Sequence, residues 1–468
     1  MSSISFSYYV TDPGDVAFSH ITDLMIVDAG GIAHLYSSTR YDGVLRQWQI
    51  DGGTLSIGDT LAFSGNAVVG GVSGITNIAM GSSSALLTGG GSDGALQTVQ
   101  IAPAGEFGTP VALTTLPDTF DGFQHGVTVT LADGGQSIFG ALAGSTGLAR
   151  MDFAANGTLS THAIVHDTTL GTTARIAAME TVGVEGQQFV ISTSSLQNGI
   201  TARAIDDTAQ VVSETTIGAD DGLWISAPTA LETATVGNAT YLVLAAAGTD
   251  SLSVIELGAD GSMIVRDHVL DARETRFGGV TSLEVIEADG KTYVIAGGAD
   301  DGVSVFILLE GGLLVHRATI EDTDDFGLDN VSALAAWERA SGIDIFVASS
   351  SEPGVTQLRL ETGPAGITQT ATLGGGLLIG TEGSDILQGH SGADIIEAGG
   401  GDDILRDGKG TDTMSGGAGA DLFILSADGE TDTITDFTVG EDRLEFQVQG
   451  LKQSDLTILS VDGGTMIS

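Results

Sequence analysis

Short alternating runs of apolar and polar residues, separated by turn signals, dominate the chain from its start to residue 374. The clearest segment, residues 280–322, reads VTSLEVIEADGKTYVIAGGADDGVSVFILLEGGLLVHRATIED, in which ADG, GADDG and EGG break four runs rich in Val, Ile and Leu. Gly, Asp and Asn tolerate the positive φ angles that hairpin turns require. The pattern therefore predicts a four-stranded antiparallel unit.

The same unit returns along the chain at an almost constant interval. Seven phrases of a turn followed by an alternating strand, such as YDGVLRQWQI and SDGALQTVQI, succeed each other at steps of 51, 53, 52, 52, 51 and 52 residues. Their turn positions are Gly43, Gly94, Gly147, Gly199, Ser251, Gly302 and Gly354. Four-stranded units at a period of about 40–50 residues are typical of propeller blades, whereas the coil of a β-solenoid is far shorter.

These repeats predict an all-β chain in which residues 1–374 form a seven-bladed β-propeller. Seven sheets arranged in a ring need closure between the last blade and the first. The spare alternating segment ISFSYYV, residues 4–10, stands before the first repeat. We expect it to pair with the last blade and so to latch the ring.

A second, shorter period begins at residue 380. Asp stands at every ninth position, with a Gly two residues before it and an apolar residue two residues after it. The Asp residues are Asp385, Asp394, Asp403, Asp412 and Asp421; the Gly residues are Gly383, Gly392, Gly401, Gly410 and Gly419; the apolar residues are Leu387, Ile396, Leu405, Met414 and Phe423.

A nine-residue unit cannot close a coil alone, because three extended residues span only about 10 Å. Two units can, as strand, turn, returning strand and turn, which predicts a parallel β-roll over residues 375–425 with coils about 4.8 Å apart. The Gly allows positive φ in each turn. The apolar residue points into the core between the two sheets, and the Asp residues line both edges.

Carboxylates stacked about 5 Å apart along an edge repel each other unless a cation lies between them. Calcium suits the position, because it accepts six to eight oxygen ligands, including carboxylates and backbone carbonyls, whereas Mg²⁺ demands a stricter octahedron. Residues on the same edge are 18 apart, so the expected pairs are Asp385 with Asp403, Asp394 with Asp412, and Asp403 with Asp421. This spacing predicts one inter-coil calcium site for each pair.

The repeats resemble the RTX (repeats-in-toxin, haemolysin-type) calcium-binding family, whose nonapeptide is GGxGxDxUx. The departures lie at the first two positions, where we expect weaker binding: Thr381 and His390 replace the second Gly, and Ala398 and Asp407 replace the first. The following DLFILSADGETDTITDFTVGEDRLEF resembles the segment that caps such rolls. We expect one or two further ligands there, from among Asp432, Asp436 and Asp442.

The resemblance also implies a location and a partner. Similar proteins leave Gram-negative bacteria through a type I exporter with an uncleaved C-terminal signal, and their rolls fold on calcium outside the cell. It therefore implies an extracellular protein with Ca²⁺ as its cofactor. Residues 426–468 would be a cap and a type I secretion region. The chain stops at DLTILSVDGGTMIS, where similar proteins continue through more strands, so we expect an incomplete signal.

Composition agrees with cation binding and excludes other classes. The chain has 61 acidic against 16 basic residues, a formal net charge of −45, which argues against nucleic-acid binding and against an anionic membrane surface. It contains no Cys, so disulfides and thiol chemistry are excluded. The start MSSISFSYYVTDPGD lacks the pattern of a Sec signal peptide, and no apolar stretch is long enough to span a bilayer.

The propeller offers one weaker constellation, because several predicted connections between blades combine acidic and aromatic residues. If these connections share one face, they would form a ligand mouth around the central channel. Its candidate residues are Asp121, Asp221, Trp224, Phe277, Asp325 and Phe326. Alternatively, the aromatic rings are wedges buried between adjacent blades.

Three functions fit this organisation. The first is a secreted calcium-binding protein whose propeller binds an extracellular partner or ligand. The second is a lactonase-like propeller hydrolase, and the third is a structural surface or biofilm component. The sequence contains no GxSxG, HExxH, P-loop or dinucleotide motif, which favours the first function over the second. No catalytic residue is assigned.

Overall fold

The structure is a computed structural model in which part of the chain is described. The described residues are 4–12, 15, 18–29, 31–39, 43–51, 53–63, 75–80, 83–89, 96–113, 115–116, 120, 123–131, 133–142, 148–165, 175–323, 325–447, 451, 455–461 and 464–467. The chain divides into two compact units. The propeller unit comprises Ile4–Ala288 and Thr292–Leu360, and the roll unit consists mainly of the residues from Glu361 onwards.

Within the described residues, the propeller unit contains seven four-stranded sheets. In blade order the strands are β2 (Ile21–Ala29), β3 (Ile32–Thr39), β4 (Val44–Asp51), β5 (Thr54–Ala62); β6 (Thr76–Met80), β7 (Ser83–Gly89), β8 (Leu96–Ile101), β9 (Val111–Ala112); β10 (Phe123–Thr130), β11 (Gln136–Leu142), β12 (Leu148–Phe153), β13 (Leu159–Val165); β14 (Ile176–Val184), β15 (Gln187–Ser194), β16 (Gly199–Ile205), β17 (Val211–Ile217); β18 (Pro228–Val236), β19 (Ala239–Ala246), β20 (Ser251–Leu257), β21 (Met263–Leu270); β22 (Ser282–Ala288), β23 (Lys291–Gly297), β24 (Gly302–Leu308), β25 (Leu314–Glu321); and β26 (Val331–Arg339), β27 (Gly342–Ser349), β28 (Val355–Glu361) with β1 (Ile4–Val10). The seven-bladed propeller predicted from the longer repeat is confirmed.

The N-terminal strand closes the ring as predicted. Strand β1 pairs antiparallel with β28, Ile4 opposite Leu360 and Val10 opposite Val355, and so completes the seventh blade. The Tyr9 hydroxyl donates a hydrogen bond to the carbonyl oxygen of Pro353 at 2.7 Å. The last blade therefore depends on both ends of the propeller sequence, because three of its strands come from one end and the fourth from the other.

The core of the propeller lies in layers between neighbouring blades. All seven residues of β24 are buried, whereas the outer strand β25 becomes increasingly exposed towards its end. One layer joins the fifth blade to the sixth and contains Leu252, Val294 and Phe306, each inaccessible to solvent. Adjacent sheets cover each other's faces, so the middle strands read as continuous apolar runs rather than as strict alternation.

The roll unit contains two parallel sheets that face each other across a thin core. One sheet consists of β29 (Ala365–Thr370), β31 (Ser384–Gln388), β33 (Ile404–Arg406), β35 (Leu422–Ser426) and β37 (Arg443–Gln447); the other consists of β30 (Leu377–Ile379), β32 (Ile395–Gly400), β34 (Thr413–Ala418) and β36 (Thr433–Ile434). Ile386 pairs with Ile404 and Ile404 with Leu422. Each step equals two nonapeptides, which confirms the predicted coil.

The eighth position of each repeat fills the roll core. Its residues are Leu387, Ile396, Leu405, Met414 and Phe423, none of them accessible to solvent. The roll sheet begins before residue 375, because β29 pairs with β31. The segment AGITQT lacks both Asp and the repeat pattern, but backbone pairing does not require them. This border therefore lies earlier than the one expected from the repeats.

Two smaller elements lie outside these sheets. Residues Ala219–Asp221 form a 3₁₀ turn, and β38 (Ile458–Val461) pairs with β39 (Gly464–Ile467) as an antiparallel hairpin. The described residues include no helix long and apolar enough to cross a membrane.

Candidate functional site

The turns of the roll depend on glycine for two separate reasons. At Gly419, φ is +127°, and a Cβ atom there would lie 2.1 Å from the carbonyl oxygen of Gly401 one coil earlier. Gly392, Gly401 and Gly410 also have positive φ. Gly383 does not, and glycine is needed there because a Cβ would lie 2.4 Å from the Ala365 carbonyl oxygen. Successive turns therefore stack backbone against backbone.

The repeated Asp side chains lie inside these stacked turns, and each is at most 1% exposed. The backbone N–H of Asp385 donates to Asp403 Oδ1 at 2.6 Å, and that of Asp394 donates to Asp412 Oδ1 at 2.7 Å. The N–H of Asp403 donates to Asp421 Oδ1 at 3.0 Å. The structure thus brings together the three expected pairs, joined by an amide-to-carboxylate hydrogen bond between neighbouring coils.

The same ladder continues into the capping segment. Asp432 Oδ1 accepts from the N–H of Asp412, and Asp442 Oδ1 accepts from the N–H of Asp421, both at 3.0 Å. These two steps are longer than two nonapeptides, so the nine-residue period no longer reveals the positions. Asp436 is bonded differently, since it accepts from the Ser415 hydroxyl at 2.6 Å.

Each of four ladder carboxylates keeps one buried oxygen without a hydrogen-bond partner. These atoms are Asp394 Oδ1, Asp403 Oδ2, Asp412 Oδ2 and Asp421 Oδ2. Burial raises the pKa of Asp403 to about 8 and the pKa values of Asp412 and Asp421 to about 6. A buried carboxylate oxygen without a donor is strongly unfavourable unless it gains a proton or a cation.

Asp385 differs from the other four. Its Oδ1 accepts from the Ile367 N–H at 2.5 Å, and its Oδ2 accepts from the Thr381 N–H at 2.6 Å. The Thr381 hydroxyl also lies 3.1 Å from Oδ1. The replacement of Gly by Thr at the second position therefore adds a donor, and the protein itself satisfies both oxygens of this carboxylate.

At another position the repeat Gly is replaced by an Asp whose carboxylate is buried and hydrogen-bonded within the roll. Asp407, at a first position, is 1% exposed and accepts from the Ser426 N–H at 2.7 Å and from its hydroxyl at 2.8 Å. Burial raises its pKa. His390, at a second position, is exposed, and its backbone N–H donates to Asp394 Oδ2 at 3.1 Å. That bond occupies one oxygen of Asp394 and leaves the other available.

The residues of the roll fit calcium better than a transition metal. Among the described residues, no three His, Cys, Asp or Glu side chains converge on one point, so a site would need backbone oxygens. Calcium accepts backbone carbonyls readily, and the carbonyl groups of stacked turns lie beside the Asp ladder. The residues that would hold it are the Asp side chains with an available oxygen and the neighbouring turn carbonyls.

The predicted mouth of the propeller is wrong for two of its rings. Phe277 is 0% exposed within the layer between the fifth and sixth blades, 5.6 Å from the Phe306 ring in an edge-on arrangement. Phe326 is 8% exposed and stacks on Phe6 with centroids 4.7 Å apart. Phe277 is therefore a wedge between two blades, and Phe326 is buried against the N-terminal strand, because a large ring gains more by packing than by facing water.

The other mouth candidates have different environments. Trp224 is 63% exposed, and Asp221 and Asp325 are exposed. Asp221 Oδ2 accepts from the Gly218 N–H at 3.0 Å within the 3₁₀ turn. Asp121 lies outside the described residues. The two phenylalanines and the tryptophan therefore do not form a circle of exposed aromatic residues around the channel. The ligand mouth stays a prediction for the exposed residues only.

The central channel contains a group of carboxylates that the sequence patterns did not indicate. The inner strands enclose a cavity of about 840 Å³, whose wall includes Asp23, Glu180, Glu232 and Glu284. Burial raises the pKa of Glu180 to about 7 and that of Glu284 to about 8. Their spacing could have revealed them, because the three Glu residues lie 52 residues apart. This interval equals the blade repeat, so each Glu occupies the same position in its blade.

Comparisons with known proteins give two results: a family model matches the repeats of the roll, and solved structures resemble a larger part of the chain. The family model of the RTX calcium-binding nonapeptide repeat (4 copies) matches residues 370–405 and 397–429. No curated protein sequence matches the chain.

Among solved structures, a Dos1 propeller is 13% identical with a TM-score of 0.45, covering 75% of this chain and 81% of that one. The periplasmic gluconolactonase PpgL of Pseudomonas aeruginosa is 13% identical with a TM-score of 0.48, covering 66% and 86%. A Lactobacillus plantarum protein is 14% identical with a TM-score of 0.47, covering 67% and 86%. Similarity at this level does not transfer a function.

The repeat match falls on the segment whose two-nonapeptide coils, stacked glycine turns and buried Asp ladder are described above. Residues 370–429 therefore belong to the RTX calcium-binding nonapeptide repeats, which in this chain follow a seven-bladed β-propeller.

Proposed function

We propose that this chain is a secreted protein whose roll folds when calcium binds in its turns and whose propeller binds an extracellular ligand. The observation that carries the calcium part is the row of unpartnered buried oxygens. They belong to Asp394, Asp403, Asp412 and Asp421, which lie in stacked turns. Cations bound along the two edges would offset the desolvation penalty of these carboxylates.

Calcium would act here as a folding ligand. Binding requires ionised carboxylates and adjoining carbonyls, and the unfolded repeats offer no preformed site, so the free energy of binding stabilises the folded roll. Asp403 is central in this scheme, because it bonds to Asp385 on one side and to Asp421 on the other. Asp385 would contribute least, because the protein already satisfies its oxygens.

The test follows the two units with separate probes. All three Trp residues, Trp48, Trp224 and Trp337, belong to the propeller, so Trp emission reports on that unit alone. Hydrogen exchange resolved by peptide reports on the roll. Adding calcium to chelator-treated protein should protect residues 375–447 while Trp emission stays unchanged. Magnesium is the matched control; equal protection by both ions would contradict a calcium-specific roll.

Secretion is the second part of the proposal. RTX repeats are typical of secreted proteins, and the uncompensated Asp ladder would keep the roll unfolded where calcium is scarce. An unfolded roll suits passage through a type I exporter, and calcium outside would then fold it. The natural chain should reach the medium only when a type I exporter is present, with its N-terminus intact. Mature protein from which the start MSSISFSYYVTDPGD has been trimmed would contradict this route.

The propeller is the binding part of the proposal. Its blades pack without needing an ion, and its channel leaves space of the size that small ligands occupy, about 300–1,000 Å³. Binding by the propeller with the roll as a calcium-dependent carrier explains why the two units are joined. Ligand binding by chelator-treated protein distinguishes the role of the propeller from that of the roll. The propeller should keep its affinity for the ligand when the roll has lost its calcium.

A further inference from the structure

Three glutamates lie at the same level of the propeller channel. Glu180 on β14, Glu232 on β18 and Glu284 on β22 belong to the inner strands of three successive blades and line the cavity. Their identical 52-residue spacing places each at the same position of its blade. The charges of Glu180 and Glu284 both raise the pKa of Glu232, after burial, so the three carboxylates lie close enough to interact.

Nothing in the described wall of the cavity neutralises these carboxylates. The titratable groups there are Asp23, His125, Glu180, Glu232, Glu284, Glu287 and Glu338, and the described lining includes no Lys or Arg. The Thr181 N–H donates to Glu180 at 3.2 Å. The Ala336 N–H donates to the Glu284 carboxylate and lowers its pKa, whereas burial and the charges of Glu180 and Glu284 raise the pKa of Glu232. The channel therefore holds carboxyl groups whose ionised forms the propeller itself does not balance, and their raised pKa values follow from this.

A neutral polar group in the same wall also lacks a partner. Ser282 lines the cavity two residues before Glu284 and is only 9% exposed, and none of the described hydrogen bonds involves its hydroxyl. The neighbouring hydroxyls contrast with it, since Thr229 donates to the Val280 carbonyl and Ser332 to the Ile21 carbonyl, both at 2.7 Å. The hydroxyl oxygen itself is not fully enclosed by protein atoms, so it is open to the cavity and can accept a hydrogen bond from a ligand.

The arrangement argues against a single metal ion as the occupant. No three acidic or His side chains among the described residues converge on one point. A compact ion would therefore bind at most two of the three carboxylates and leave at least one unbalanced. A longer ligand with several positive groups can reach all three, and the cavity of about 840 Å³ has room for it.

We infer that the propeller channel binds a linear oligoamine, with its ammonium groups on Glu180, Glu232 and Glu284 and one ammonium N–H donating a hydrogen bond to the Ser282 hydroxyl oxygen. This inference rests on the proposed role of the propeller as a ligand-binding unit and specifies the class of ligand. Ammonium groups satisfy carboxylates through charge-assisted hydrogen bonds, which are stronger than neutral ones. The methylene segments between them suit the apolar part of the wall, which includes the half-buried Met25, Val285 and Ile286.

The test uses spermidine as the probe and the full chain in saturating calcium, so that the Asp ladder of the roll does not compete for the amine. Calorimetric titration should show spermidine binding to the wild-type protein and at least tenfold weaker binding to Glu232→Gln. Propylamine, which has one amino group, should bind at least tenfold more weakly than spermidine. The matched control is Glu185→Gln, because this exposed residue lies on the blade of Glu180 but outside the cavity and loses the same charge.

Stability separates a binding role from a structural one. Glu232→Gln removes an uncompensated carboxylate without changing its shape, so the melting temperature of the propeller should stay equal or rise. Equal spermidine affinity in Glu232→Gln and wild type overturns the inference, as does equal weakening by Glu185→Gln or an absence of spermidine binding. Hydrogen exchange of the roll on calcium addition is independent of this outcome, so failure here is distinguishable from failure of the calcium proposal.

Discussion

The propeller and the roll solve the same problem, the burial of β-strands, with very different cores. Each propeller layer joins two sheets and contains rings and aliphatic side chains of many strands, as in the layer around Phe306. The roll core receives one apolar side chain per nonapeptide, and its turns bury carboxylates with unpartnered oxygens. Apolar burial alone can stabilise the first unit, whereas the second buries carboxylates whose charge a proton or a cation must offset.

The largest expected effect is calcium removal, which should affect only one unit. With excess chelator, the roll should lose protection over residues 375–447, because its ladder carboxylates then repel each other in a low-dielectric setting. The propeller should keep its Trp emission and its melting temperature. Hydrogen exchange and fluorescence on one sample check both statements. Simultaneous loss of both signals would show that the units are not independent.

Replacing a ring that is buried between two blades should destabilise the propeller and leave the roll unaffected. Phe277→Ala removes a fully buried ring between two blades, and losses of this kind cost about 3–5 kcal/mol. Thermal unfolding followed by Trp emission should show a clearly less stable propeller, while the roll still folds on calcium. The matched control is Trp224→Ala, which should change stability by less than about 0.5 kcal/mol because its side chain is exposed. A propeller that unfolds in the control would place Trp224 in the packing instead.

Two similar Asp substitutions sharpen the account of the roll. Asp403→Asn keeps an oxygen for the Asp385 N–H but removes the charge beside a calcium site, and it should lower calcium affinity at least tenfold. Asp385→Asn should have a smaller effect, since both oxygens of Asp385 are already occupied by protein donors. Calcium titrations of both variants provide the comparison. Equal losses of affinity would refute the assignment based on unpartnered oxygens.

The smallest expected effect is a pH dependence of the metal-free roll. Burial raises the pKa of Asp403 to about 8, so between its unfolded value near 4 and about 8 the folded state binds more protons than the unfolded state. Stability must then fall as pH rises through this range. Residual structure in the chelated roll, measured by hydrogen exchange corrected for intrinsic rates, should be greater at pH 5 than at pH 8. Calcium should reverse the trend, because it binds the ionised form.

Most of the architecture was predictable because both units repeat. The longer period indicates the blade count, and the nonapeptide period indicates the coil, since each period reflects local geometry that every copy must satisfy. Asp432 and Asp442 show where this reasoning ends. They continue the ladder in space, but inserted residues shift them out of the period.

The amino-acid sequence by itself determined the propeller, the roll, the burial of the eighth-position residues and the identity of the Asp ladder. Only the tertiary structure decided which Asp oxygens lack donors, because the donors to Asp385 come from Thr381 and from Ile367 in the preceding coil. It also decided that Phe277 is a wedge while Trp224 is exposed. Spacing along a chain specifies the repeated backbone, but burial and hydrogen-bond satisfaction depend on which distant segments pack around each side chain.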